Sequence, residues 1–277
     1  MKNIVVLINE LDEIQPVLEA GANEIVMGVE NYTFSAIKKH SIDEMRNHSV
    51  LMNRFYFQDE VELLQKQLKD LKERNVNHIY FCDPAVYYYA KELDLVDHLI
   101  YKPETMMVSA NDLLFWQEQG IYTASLSPLI TFEETEKILN EVKNVEVTIH
   151  GHLLMSESKR QLLTSYFEYT KQNIEQGKIY YLKEMKREDL MPAYDDEFGT
   201  LIYSDFVLES FDEITSFNTD RFFIDSLLLD TDALVDAIKI YRNILDEKDM
   251  KNEVSEYLTK YSNIKFTSGY YKEKTIK

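Results

Sequence analysis

The sequence predicts an α/β fold, a TIM-type (β/α)8 barrel. Three observations carry this. Eight short apolar runs of the kind buried on both faces of a parallel sheet alternate with helical segments along the chain. The length, 277 residues, is close to the roughly 250 typical of such a barrel. The main competitor is a doubly wound open sheet, and it is weakened because no Gly-rich phosphate loop or Gly-x-Gly-x-x-Gly follows a strand.

Asn3 to Ile8 is the first strand, followed by a helix from about Leu11 that stops at Gly21, whose φ freedom suits a helix C-terminus. Glu24 to Val29 is the second strand. Ser41-Ile42-Asp43-Glu44 has capping-box spacing, and Val50 to Tyr56 is the third strand. In the next helix Val61, Leu64, Leu68 and Leu71 mark one face, charged residues lie opposite, and Asn75 stands where a stop is expected. His78 to Cys82, Leu99 to Tyr101, Tyr122 to Ser125 and Val145 to Ile149 are strands four to seven. Thr131-Phe132-Glu133-Glu134 opens the helix before the seventh, again with capping-box spacing. Arg221 to Asp225 is the eighth strand, ahead of a helix around Asp232 to Leu245.

One barrel domain thus spans residues 1–250, with an inserted β-containing segment at about 156–220 between strands seven and eight. That length is too great for one βα loop without structure of its own. Ile179 to Leu182 and Thr200 to Tyr203 read as two strands of an inserted hairpin or small sheet flanking Pro192, expected to cover the barrel mouth. Residues 251–277 carry six Lys against three Glu and read as a mildly basic, charged surface tail.

A net charge of −19 keeps the chain soluble and repels polyanions at long range, which argues against an independent nucleic-acid module. The single cysteine, Cys82, excludes both an intrachain disulfide and an intrinsic iron-sulfur cluster, which needs four thiolates. Its setting reads as a buried strand position, where a thiol acts as a small hydrophobe. No basic-then-apolar leader and no apolar run near eighteen residues occur, so the expectation is a cytoplasmic protein away from membranes. His-Glu-x-x-His and Gly-x-Ser-x-Gly are both missing, so metalloprotease and serine-hydrolase chemistry lack their usual residues.

Chemistry in such folds sits on loops at the carboxyl ends of the strands. Strand seven delivers His150-Gly151-His152 there, followed by Ser156-Glu157-Ser158-Lys159-Arg160. His150 is a candidate for proton transfer or, alternatively, a satisfied core histidine. His152 lies two along, and a metal shared by the pair is not expected without further ligands. Arg160 suits bidentate pairing with a carboxylate or phosphate, against the alternative of a salt bridge to one of 49 acidic residues; Ser158 stands beside it. Glu104, at a strand end, is a candidate general base or arginine partner. Asp83, before Pro84, reads first as a helix cap and second as a substrate contact. Asn53 and Thr200 complete the substrate- or anion-binding candidates. Asp195, Asp196 and Glu197 read as a solvated turn, and no metal site is expected.

The segment from His150 through Leu163, closing with Tyr166-Phe167-Glu168-Tyr169, resembles the collagenase-like peptidase family, peptidase family U32. Phe81 to Val86, Glu104 to Trp116, Asp195 to Thr200, Phe223 to Asp225 and Thr267 to Tyr271 are similar to further segments of its short Gram-positive type, in the same order. Val108-Ser109 replaces that type's Thr-Asn pair. The resemblance implies a barrel fold and, despite the hydrolase name, a link to prephenate-dependent hydroxylation of the tRNA wobble uridine, or to oxygen-independent ubiquinone hydroxylation. Many members hold an iron-sulfur cluster on four cysteines, and the first two of those positions are Leu154 and Gln161 here. The expectation is therefore an accessory or substrate-binding subunit in 5-hydroxyuridine formation, with prephenate as co-substrate. It would act with a cysteine-bearing paralogue and meet tRNA through that complex. A stand-alone peptidase and a non-catalytic pairing scaffold are the alternatives.

Overall fold

The structure is a computed structural model describing residues 2–45, 47–103, 107–175, 177–183, 185–186 and 188–272. Eight parallel strands close a barrel: β1 (Asn3–Ile8), β2 (Glu24–Gly28), β3 (Ser49–Met52), β4 (Ile79–Phe81), β5 (Leu99–Tyr101), β6 (Thr123–Leu126), β7 (Val145–Ser158) and, after an insertion, β11 (Arg221–Asp225). β11 pairs with both β7 and β1, so no edge is left open. Outside lie α1 (Ile14–Ala20), α2 (Val61–Glu73), α3 (Pro84–Glu92), α4 (Ala110–Glu118), α5 (Phe132–Glu141) and α7 (Thr231–Leu245). The barrel has the TIM-type (β/α)8 form that the alternation predicts. Between β2 and β3 the connection holds only the short 3-10 turn Ile42–Glu44, with the expected capping box on Ser41. Gly21 and Asn75 both adopt positive φ, 113° and 53°, at the helix ends where they were expected.

Strand alternation divides the buried residues into two shells. Val5, Leu7, Val26, Leu51, Tyr80, Ile100 and Phe223 face the barrel interior. Ile4, Val6, Ile25, Met27, Val50, Ile79, Phe222 and their neighbours face the helices. At the amino-terminal end of the strands, the interior positions are polar and mutually satisfied. Arg221 donates from Nε to Glu146 (2.8 Å) and from Nη2 to Glu24 (2.7 Å) and the Tyr80 hydroxyl (2.6 Å). Glu146, fully buried, also accepts from Tyr80 (2.8 Å) and Ser125 (2.9 Å). Burial alone would raise the Glu24 carboxyl, but the His78 hydrogen bond and the Arg221 charge hold it down at about 2.

The insertion takes the form of a small sheet, one of the two forms expected. β7 runs beyond the barrel, and on its far half stands an antiparallel sheet of β10 (Gly199–Glu209), β9 (Leu190–Asp196) and β8 (Tyr180–Lys183), with α6 (Leu162–Thr170) before it. The two segments expected as strands lie on either side of β9. Pro192 lies inside that strand, just past the end of its ladder with β10, where a missing N–H is tolerated. Leu154, Leu201 and Tyr203 pack with Phe34 and Leu227, and the Tyr203 hydroxyl donates to Ser35 O at 3.1 Å. The sheet thereby leans over the loops after β2 and β11 at the mouth.

The C-terminal segment is not a loose tail. α8 (Lys251–Lys260) packs on α7, β12 (Phe266–Thr267) pairs with β10, and Tyr257 and Tyr271 are buried. Its described charged residues are exposed, while Tyr257 and Tyr271 complete the core.

Candidate anion site at the barrel mouth

At the carboxyl ends of the strands, the alternation that turns Leu51, Tyr80 and Ile100 inward brings Asn53, Cys82 and Lys102 to the same face. Asn53 is buried and acts as a clamp. Its Oδ1 accepts from Phe34 N (2.9 Å) and Ser35 N (3.3 Å), and its Nδ2 donates to Ser35 Oγ, so the loop after β2 is tied to the end of β3. These bonds draw residues 53–56 out of the sheet, so β3 stops at Met52 rather than Tyr56. Asp83 caps α3 by accepting from Ala85 N (2.8 Å), and its other oxygen accepts from Tyr56 N (2.8 Å). Cys82 lies past the end of β4 and is half-buried; its thiol donates to Asn53 O at 3.1 Å. It is a mouth residue, not the interior strand position expected for it.

Cations gather above this floor, each against an aromatic ring. The Arg54 guanidinium sits 4.7 Å from the Tyr56 ring centre and 4.4 Å from that of Phe198, in the inserted sheet. It donates to Asn31 O at 3.0 Å and pairs with Glu60, while its buried Nε has no partner among the described residues. Lys39 pairs with Asp196 and lies 4.9 Å from the same Phe198 ring. The Lys159 ammonium stands 4.3 Å from the Phe34 ring and 4.9 Å from Phe55. Lost solvation lowers its pKa, and the Arg54 charge adds to that. Among the described residues Lys159 has no ion-pair partner. Lys102, buried, lies 4.4 Å over Phe223 deeper in the barrel. Arg54 and Lys39 are neutralised by Glu60 and Asp196, so the Lys159 ammonium is the group placed to attract a small anion.

The candidates read from sequence fall in several places. Asn53 and Asp83 are at the mouth in positioning roles. Arg160 is exposed beside Lys159; its N–H donates to Ser158 Oγ (3.1 Å), and its carbonyl accepts from Thr200 Oγ1 (2.8 Å). Thr200 is buried, accepts from Leu162 N (2.7 Å) and bonds Asp195, so it anchors the start of α6. Asp195 caps the same helix through Thr164 N (2.8 Å), and Asp196 accepts from Phe198 N (2.7 Å) and Gly199 N (3.1 Å). Both aspartates are therefore tied into the fold rather than forming a solvated turn. Glu104 lies outside the described residues.

His150 is elsewhere. Phe223 pairs with Thr148, but the next residue, Ile224, pairs with His150, so Ile149 is a bulge that reverses the alternation. His150 consequently points outward among Phe211, Tyr241, Tyr257 and Phe266, fully buried. Its Nδ1 is 3.2 Å from the Tyr241 hydroxyl and its Nε2 3.3 Å from that of Tyr257. Burial pushes its pKa down to about 3, keeping the ring neutral. His152 also faces away, bonded to Ser204 O at 2.8 Å. Sequence reasoning missed Arg54 and Lys159. Lys159 was adjacent to the chosen Arg160, and Arg54 directly follows Asn53 at a strand end.

The family's cluster does not fit these residues. Leu154 is buried in an apolar cluster and Gln161 donates to Asp196 O at 2.6 Å, so neither position offers a thiolate. Among the described residues, no group of three or more His, Cys, Asp or Glu is placed to hold a metal ion. No helix there is long and apolar enough to cross a membrane.

The profile of Peptidase family U32 matches residues 9–277. The chain belongs to that family. This U32 protein is 26% identical over 260 residues to tRNA hydroxylation protein P2 of Bacillus subtilis (strain 168), covering 84% of this chain and 82% of that protein. It is 30% identical over 139 residues to tRNA hydroxylation protein P of Escherichia coli (strain K12), covering 45% of this chain and 29% of that protein. No solved structure matches the chain.

Proposed function

We propose that this protein takes part in tRNA hydroxylation, forming 5-hydroxyuridine at the wobble position, as the subunit that holds a small carboxylate co-substrate of the prephenate type. The observation that carries the reading is Lys159: an ammonium at the barrel mouth, set over Phe34 and Phe55, with no ion-pair partner among the described residues. A carboxylate meeting it gains a charge-assisted hydrogen bond beside two aromatic rings. The flanking rings suit the apolar face of a cyclic acid. Arg54 orders the neighbouring rings of Tyr56 and Phe198, and Asn53 and Asp83 fix the loops at the mouth.

With one cysteine in the chain, the iron-sulfur chemistry of the family is assigned to a cysteine-bearing paralogue, and tRNA is engaged within that complex. The stand-alone peptidase reading has no specific geometry among the described residues in its favour. The test is mass spectrometry of tRNA nucleosides from a strain lacking the gene, complemented with wild type or Lys159→Ala. Loss of 5-hydroxyuridine, restored by wild type and not by the variant, is expected. Undiminished 5-hydroxyuridine in the deletion strain would refute the reading.

A further inference from the structure

The first part of the insertion departs from the acidic character of the rest of the chain. Residues 159–187 carry seven Lys and Arg against three Glu, a net +4, together with five Tyr and Phe, while the whole chain stands at −19. Within this stretch α6 buries Leu163 and turns the opposite side to solvent, where Leu162, Tyr166 and Tyr169 recur at i, i+4 and i+7. They are 44%, 59% and 87% exposed. An apolar stripe so open on a helix with a buried other side is a surface kept for a partner. The stripe begins at the mouth: Lys159, just before α6, lies against Phe55, itself 40% exposed. Phe167 anchors the helix on Tyr180 of β8, with ring centres 4.9 Å apart, so the stripe is held rigidly. Among the described residues Arg160 and Lys171, at the two ends of α6, have no ion-pair partner.

We infer that this face binds single-stranded RNA, with bases stacked on Phe55, Tyr166 and Tyr169 and phosphates neutralised by Arg160 and Lys171. Exposed aromatic rings interleaved with cations are the means by which a strand is held without reading its sequence, since every base has a π-face. The charge complementarity favours RNA over a protein partner: exposed rings in a stretch of net +4, with Arg160 and Lys171 at the two ends of α6, are matched to a polyanion. Running about 13 Å along α6 from the rim, the track would deliver an unpaired base to the barrel mouth. The inference rests on the tRNA reading above and assigns the surface through which it operates.

The test is fluorescence anisotropy of the full-length protein with a labelled unstructured ribo-oligonucleotide and with an RNA duplex of equal length. The single strand should be preferred. Tyr166→Ala with Tyr169→Ala should weaken single-strand binding at least about tenfold, and the corresponding Phe variants should restore it, because stacking needs the ring and not the hydroxyl. Lys171→Glu should weaken binding and flatten its salt dependence by about 0.7 in the logarithmic slope. Melting temperatures should be unchanged, as these side chains are exposed. No single-strand binding, equal affinity for the duplex, or Ala variants that bind as wild type would overturn the inference. Ala variants that retain the oligonucleotide but release a co-purifying protein would do so too, and would make the face a protein interface. The nucleoside analysis of the deletion strain judges the tRNA reading separately, whatever the oligonucleotide does.

Discussion

The Arg54 guanidinium lies 4.4 Å from the centre of the Phe198 ring, joining the end of the third barrel strand to the inserted sheet. The planar cation is held between that ring and Tyr56. Arg54→Lys keeps the charge and loses the flat stack, so it should not substitute. A loss of about 1–2 kcal/mol is expected, seen as a fall of roughly 2–4 °C in Tm per kcal/mol by differential scanning calorimetry. Phe198→Leu should cost a similar amount, and the double variant less than the sum, since both remove one contact. Strict additivity would show that the two do not interact.

His150 makes stability sensitive to mild acid. Its folded pKa of about 3 lies below the ordinary 6.5, so the unfolded chain binds the extra proton. Its contribution is complete above pH 6.5 and is lost as pH falls from there towards 3. Between pH 7 and pH 5 the loss should be roughly 2 kcal/mol. Urea titrations at the two pH values should show it, and His150→Phe should remove that part of the slope. An unchanged slope in the variant would place the titration elsewhere.

The Arg221 network sets a second, more acidic limit. Glu24, held at about 2 against an ordinary 4.5, stabilises the fold fully above pH 4.5 and ceases to do so as pH falls towards 2. Arg221→Met would strand the fully buried Glu146 without its cation, at an expected cost of about 3–5 kcal/mol. A variant that melts like wild type would contradict this account of the barrel floor.

Gly151 permits the crossing of β7 over the end of β11. Its φ is 125°, and a Cβ there would stand 2.2 Å from Asp225 O. Gly151→Ala should therefore destabilise by several kcal/mol, through strain and collision together. Denaturant unfolding would reveal it; a loss below about 0.5 kcal/mol would mean that the strands part readily.

Much of the barrel was legible because its strands are apolar on both faces and its helices carry caps that act locally, at Gly21, Ser41, Asn75 and Thr131. The failures share a different cause. The Ile149 bulge reverses the side chains after it, and no local preference marks a bulge that depends on the neighbouring strand. Hence His150 looked like a rim residue. β9 went unread because its Pro192 is tolerated only where β10 has already left its side. Tyr257 packs on His150 and Phe211, and Tyr271 on Phe132 and Phe217, contacts that sequence spacing does not record. Arg54 follows a strand end, yet its sandwich requires Phe198, 144 positions away in the numbering.

The most direct measurement is calorimetric titration of prephenate into the purified protein and its variants. The account predicts saturable binding that falls at least about tenfold in Lys159→Ala, survives His150→Phe, and declines at alkaline pH earlier than an ordinary lysine would allow, because the Lys159 ammonium is partly desolvated. Binding of equal strength in wild type and Lys159→Ala, or no binding in either, would contradict the anion site at the barrel mouth.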